Sequence, residues 1–222
     1  MGPGSGRLRR RRPRTLSPRL IVACEGERTE YEYLTRLDQS IKQRRAALKV
    51  LAGRRTDAVG VVEAAIRQRS SDRENQSFSR RDGDRVYAIL DVEPHDPSKA
   101  GKLEAALRLA GSEDVRVLLS NPSFEFWLLC HVAQARELCR AFRDPGSLDR
   151  ELRKRLGHGK DDLHSNPALF DRLLPNAPRA VLVARHVHEQ HHNNVDDLRG
   201  SNACTTVYKL IAYLIGDQPD LP

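Results

Sequence analysis

Leu20-Ile21-Val22-Ala23-Cys24-Glu25-Gly26-Glu27-Arg28-Thr29-Glu30 is the stretch from which the fold is read. Leu20 to Cys24 is an unbroken apolar run, the pattern of a strand covered on both faces. Gly26 permits a tight turn or a close backbone approach. Thr29 with Glu32 three residues on fits a capping box, so a helix is expected to begin there. This order of elements leaves the Glu25 carboxylate at the C-terminal end of a parallel strand. Open α/β sheets take their ligands at that edge. The competing reading is an ordinary strand-to-helix loop with solvated glutamates.

A second segment repeats the arrangement. Arg85-Val86-Tyr87-Ala88-Ile89-Leu90-Asp91-Val92-Glu93 is again an apolar strand ending in acids. Asp91 and Glu93 stand at i and i+2, so in an extended chain they project to one side. Like charges this close repel unless a cation or a proton intervenes. Oxygen ligands suit magnesium or manganese, and magnesium keeps waters that a phosphate can replace. Acids after two strands therefore meet the needs of metal-assisted phosphoryl transfer, against the plainer reading of solvated acids at a strand end.

Glu25-Gly26 after the first strand and Asp91-x-Glu93 after a later one resemble the Toprim domain of topoisomerases, primases and several nucleases. A third segment narrows the likeness: Ser120-Asn121-Pro122-Ser123-Phe124-Glu125-Phe126-Trp127, continuing to His131. With the Cys24 to Glu30 motif it resembles the RloB-like family, bacterial Toprim-related proteins linked to phage defence. The likeness is strong over residues 20–131. It continues weakly to Ser201-Asn202-Ala203-Cys204-Thr205-Thr206-Val207-Tyr208, a degraded form of the family's closing motif. The Toprim pattern is usually Asp-x-Asp, and here Glu93 takes the second place. The resemblance implies a nuclease dependent on Mg2+ or Mn2+, with Glu25, Asp91 and Glu93 as metal ligands. Glu25 also suits the role of general base. A partner ATPase is implied as well, and this sequence carries no P-loop of its own.

Outward from these motifs, residues 30–39 read as a helix with Tyr31, Leu34 and Leu37 on one face. Residues 46–51 read as a strand, and Thr56 would cap a helix over 57–68 with Val59, Val62, Ala65 and Ile66 inward. Residues 70–84 are polar and turn-rich, hence a loop. Pro94 and Pro97 enforce a stop. Between them His95 could join the site, whereas Asp96 reads as turn decoration. A helix over 98–110, with Leu103, Ala106, Leu107 and Ala110 inward, leads to a strand over 115–119. The alternation implies a parallel sheet flanked by helices.

Residues 124–132 read as a helix. A glutamate in so apolar a stretch needs a partner, and Glu125 is a candidate fourth acid, a helix-start carboxylate or an ion-pair partner. Trp127 and Phe126 read as core. From residue 133 helical segments dominate: 134–143, 148–156, 168–174, 179–192 and 205–215. The expected organisation is a basic tail (1–17), a Toprim-like α/β domain (18–132) and a helical C-terminal appendage (133–222). Lys160 follows a glycine-containing turn and is a candidate phosphate contact, although a surface lysine is the commoner outcome.

The bulk properties fit this class. The 222 residues are 39% hydrophobic and 31% charged, which is typical of a globular chain, and no apolar run approaches a membrane span. The four cysteines form no C-x-x-C pair and read as reduced core residues of a cytoplasmic protein. The net charge of +8 favours a polyanion such as DNA or RNA. Six arginines of the tail contribute much of it, however, and that tail reads equally as a non-specific phosphate-binding arm or as a disordered terminus. His188-Glu189-Gln190-His191-His192 satisfies H-E-x-x-H, a zinc metalloprotease signature. No glutamate follows Glu189, so the usual downstream ligand is missing. Two alternatives therefore accompany the nuclease reading: a non-catalytic nucleic-acid or partner-binding module, and, behind it, the zinc protease.

Overall fold

A computed structural model describes residues 17–26, 28–53, 57–94, 96–139, 142, 145–191 and 203–222. The expected basic tail lies almost wholly outside the described residues. Four parallel strands, β1 (Arg19–Cys24), β2 (Ala47–Leu51), β3 (Arg85–Asp91) and β4 (Arg116–Asn121), form the body of a sheet. With a short edge strand, β5 (Cys204–Thr205), the sheet order is β2-β1-β3-β4-β5. The sheet is mixed rather than wholly parallel, because β5 joins β4 antiparallel.

Helix α1 (Thr29–Ser40) links β1 to β2, α2 (Ala58–Glu74) links β2 to β3, and α3 (Pro97–Ser112) links β3 to β4. The chain steps outward from β1 to β2, then back across β1 to β3. With right-handed crossovers this reversal places α1 and α2 on opposite faces. The alternation along β1 shows the result. Leu20, Val22 and Cys24 pack with Tyr33, Leu34 and Leu37 of α1. Ile21 and Ala23 pack with Val61, Val62 and Ala65 of α2 and Leu103 and Ala106 of α3.

The remaining helices cover the α1 face: α4 (Glu125–Cys130), α5 (Ala135–Leu138), α6 (Pro145–Leu156), α7 (Lys160–Ser165), α8 (Phe170–Leu173), α9 (Ala177–His191) and α10 (Val207–Ile215). They share one core with the sheet. Tyr33 is its hub, with ring contacts to Phe124 at 5.8 Å, Trp127 at 6.1 Å and Phe170 at 6.1 Å. Each large apolar side chain buried here contributes roughly 1.5–3 kcal/mol.

Local expectations were altered where tertiary contacts outweighed local pattern. Arg28, not Thr29, stands at the N-cap of α1, and it makes no side-chain capping bond. Thr29 is already helical, so the expected capping box does not form. The buried face of α1 carries Tyr33, with Tyr31 at its edge. Asp57 caps α2 by accepting from Gly60 N at 2.7 Å, and Thr56 is outside the described residues. Helix α2 runs on to Glu74, into the first residues of the segment expected as loop, where buried Arg69 and Asp72 find partners: Arg69 bonds Glu113, and Lys49 reaches Asp72. Asp96 does more than decorate a turn, capping α3 through Ser98 N at 3.0 Å.

Candidate metal and phosphate site

The sheet order reverses between β1 and β3, the point where open α/β sheets form a crevice beyond the strand ends. Glu25 follows β1 and Asp91 ends β3 at this point. The two are joined directly: Glu25 Oε2 accepts from Asp91 N–H at 3.0 Å. Parallel pairing of Cys24 with Ile89 sets this register.

Glu93 comes close by another route than strand alternation. The strand stops at Asp91, and Glu93 adopts a left-handed φ of +42°. Its N–H donates to Pro122 O at 3.0 Å, and Val92 N–H donates to Ser120 O at 2.9 Å. These bonds tie the turn after β3 to the turn after β4, which brings Ser123 and Glu125 alongside. Glu125, 3% exposed, accepts from Ser123 Oγ at 2.6 Å. The Glu93 carboxylate pairs with the Lys99 ammonium from the first turn of α3.

A further acid completes the group. Glu30, in the first turn of α1, is 4% exposed and accepts from Gly26 N–H at 3.1 Å. Gly26 leaves room for this approach, since a Cβ there would lie 1.9 Å from Glu30 Oε2 and displace that carboxylate. Gly53, at the end of β2, is required by another: its Cβ would meet the Glu25 carbonyl oxygen at 2.2 Å. In the sequence Glu30 closes the Cys24 to Glu30 motif as an ordinary first-turn acid. The neighbouring Gly26 was the available signal. Lys99 and Ser123 carried none, because their contacts arise only on folding.

Charge accumulates at Asp91. Its residue surface is not wholly enclosed, yet Oδ1 is shielded from solvent and has no hydrogen-bond partner. Burial, followed by the charges of Glu30, Glu125, Glu25 and Glu93, pushes its carboxyl well above the usual aspartate range. Glu25 is raised as well, by burial first, against the opposing pull of the Asp91 N–H. Burial and the charges of Glu30 and Asp91 also raise the Cys24 thiol far above its ordinary value, so it stays protonated and is no nucleophile.

Four carboxylates gathered about the orphaned, buried oxygen of a fifth fit a hard divalent cation. They are not set as a finished cage. Among the described residues, no three His, Cys, Asp or Glu side chains stand ready to hold a metal together. Glu25 is turned to the Asp91 amide, Glu30 to the Gly26 amide and Glu93 to Lys99. Ligation requires these side chains to leave those partners.

His95 is outside the described residues. Lys160 opens α7, and its side chain is likewise not described. In the H-E-x-x-H stretch, His188 is buried with Nδ1 3.3 Å from the Tyr208 hydroxyl, while Glu189 is exposed. His192 is outside the described residues. No helix among the described residues is long and apolar enough to cross a membrane.

The family model for RloB-like proteins aligns with residues 20–214. No curated protein and no solved structure matches the chain. The aligned span takes in all five strands and every acid of the cluster, and the chain belongs to the RloB-like family.

Proposed function

We propose that this protein is a Toprim-type nuclease that uses Mg2+ or Mn2+ to hydrolyse phosphodiester bonds, and that it acts in anti-phage defence beside a partner ATPase. The observation that carries the reading is the buried, unpartnered Oδ1 of Asp91 at the switch point, ringed by four other carboxylates. Asp91, Glu25 and Glu93 would hold the cation, with Glu30 and Glu125 behind them. When bound, it would neutralise charge on the scissile phosphate and make a coordinated water more acidic.

The protein's own part is chiefly positioning. The Asp91 N–H orients Glu25 at the strand end, and the Ser123 hydroxyl orients Glu125. If it does not ligate the cation, Glu25, held at the strand end, is the carboxylate placed to act as general base. Defence and the ATPase partner rest on family resemblance alone.

One observation favours the second reading, a binding module without cleavage: Glu93 is occupied by Lys99 rather than turned to a shared site. A cleavage assay separates the two. Wild type, Glu25→Gln and Asp91→Asn are incubated with labelled DNA and RNA in Mn2+ or Mg2+, then in chelator, with and without the neighbouring ATPase. Cleavage that needs metal and is lost in both variants supports the nuclease. Metal binding without cleavage, even with the ATPase present, supports the module.

A further inference from the structure

Lys99 sits where the mechanism above leaves a question. Its ammonium pairs with Glu93, and both ends of the contact are held from behind. The left-handed turn and the bond to Pro122 O fix the Glu93 backbone, and the Asp96 cap anchors the first turn of α3. The carboxylate is the more enclosed partner, its side chain 17% exposed against 39% for Lys99. The ammonium's field also reaches Glu25 and Asp91. Among the described residues it is a positive charge set at the rim of the carboxylate cluster.

A divalent ion approaching Asp91 enters the same field. Two cations on the Glu93 carboxylate would repel each other. The ammonium rides on a flexible four-carbon stem at the solvent edge, so it is the one that can move. Once free, it remains beside the position of a metal-bound phosphate, for which a compact ammonium is a suitable contact.

We propose that Lys99 is an exchangeable counter-cation: it holds Glu93 in the absence of metal, yields that carboxylate to the divalent ion, and then contacts the substrate phosphate. This rests on the metal-site reading, and the experiment separates the two. Mn2+ is titrated against wild type, Lys99→Met and Asp91→Asn, with free Mn2+ read by electron paramagnetic resonance. Asp91→Asn is expected to lose the site, while Lys99→Met binds Mn2+ about five-fold more tightly because a competing ion pair is gone. Unchanged or weaker Mn2+ binding by Lys99→Met, with wild type still binding, overturns the exchange alone. Absence of Mn2+ binding by wild type, or binding unaffected in Asp91→Asn, overturns the metal site and the exchange with it. Affinity for a labelled oligo(dT) strand is then followed against salt. In Ca2+ the log–log slope for Lys99→Met is expected to be smaller by about 0.7, one phosphate contact, and in chelator the slopes coincide. Equal slopes in Ca2+, or no binding of the strand by wild type, overturns the phosphate contact.

Discussion

Replacing Asp91 by asparagine should stabilise the metal-free protein while destroying its site. In the native state Asp91 faces the charges of Glu30, Glu125, Glu25 and Glu93. At an effective dielectric constant of ~20, one unit charge at ~6 Å contributes about 3 kcal/mol of repulsion. Proton uptake limits the total, because protonating an ordinary aspartate near neutral pH costs only about 4 kcal/mol. The isosteric amide removes the charge and can donate to a neighbouring carboxylate. A gain of about 2 kcal/mol is a conservative expectation, or a Tm rise of roughly 4–8 °C for a chain of this size. The gain has a definite pH dependence. A carboxyl whose folded pKa is raised contributes stability that is complete below the unfolded pKa and disappears as pH rises through the folded one. Wild type and variant should therefore melt nearly together at about pH 4 and separate progressively toward about pH 8. Differential scanning calorimetry in chelator across this range is the assay. A variant less stable than wild type at the alkaline end, or a gap independent of pH, would refute the picture of a strained acidic cluster.

Further substitutions probe the supporting framework. Gly53→Ala should cost about 1–3 kcal/mol in urea denaturation, since its Cβ meets backbone oxygens of Glu25 and Cys24 at 2.2 and 2.8 Å. Gly26→Ala should unfold almost normally but weaken Mn2+ binding, because the obstructing atom is the movable end of Glu30. Glu93→Gly should be about 1 kcal/mol more stable than Glu93→Ala; both lose the Lys99 pair, and only glycine relieves the positive φ. Tyr33→Phe should cost about 1–3 kcal/mol, because the Tyr33 hydroxyl lies 3.0 Å from buried His131 Nε2. Burial lowers that imidazole to about 4, so its NMR shifts should stay those of a neutral ring throughout the neutral range.

Much of this arrangement is legible in the chain. The runs ending at Cys24 and just before Asp91 are apolar because both sheet faces are covered, and they mark β1 to within a residue and the start of β3. The acids that follow them fall at the strand ends for the same reason. What was lost is what depends on partners distant in sequence. Two residues of β5 exist as a strand only because β4 offers Ser120 and Asn121 for pairing. Tyr33 displaces Tyr31 from the core because the later aromatic residues Phe124, Trp127 and Phe170 gather around it. Glu93 reads as one step of a strand alternation, but hydrogen bonds to the next turn end the strand two residues earlier. Glu30 reads as an ordinary first-turn acid until Gly26 is seen to bring the backbone against it.

The most direct test of the central claim is an anomalous difference map from crystals soaked in Mn2+. A peak within coordination distance of Asp91 Oδ1, with Glu25 and Glu93 turned toward it, is the expected result. A map with no peak at the cluster, or with manganese only elsewhere on the molecule, would contradict the assignment of these acids as a metal site.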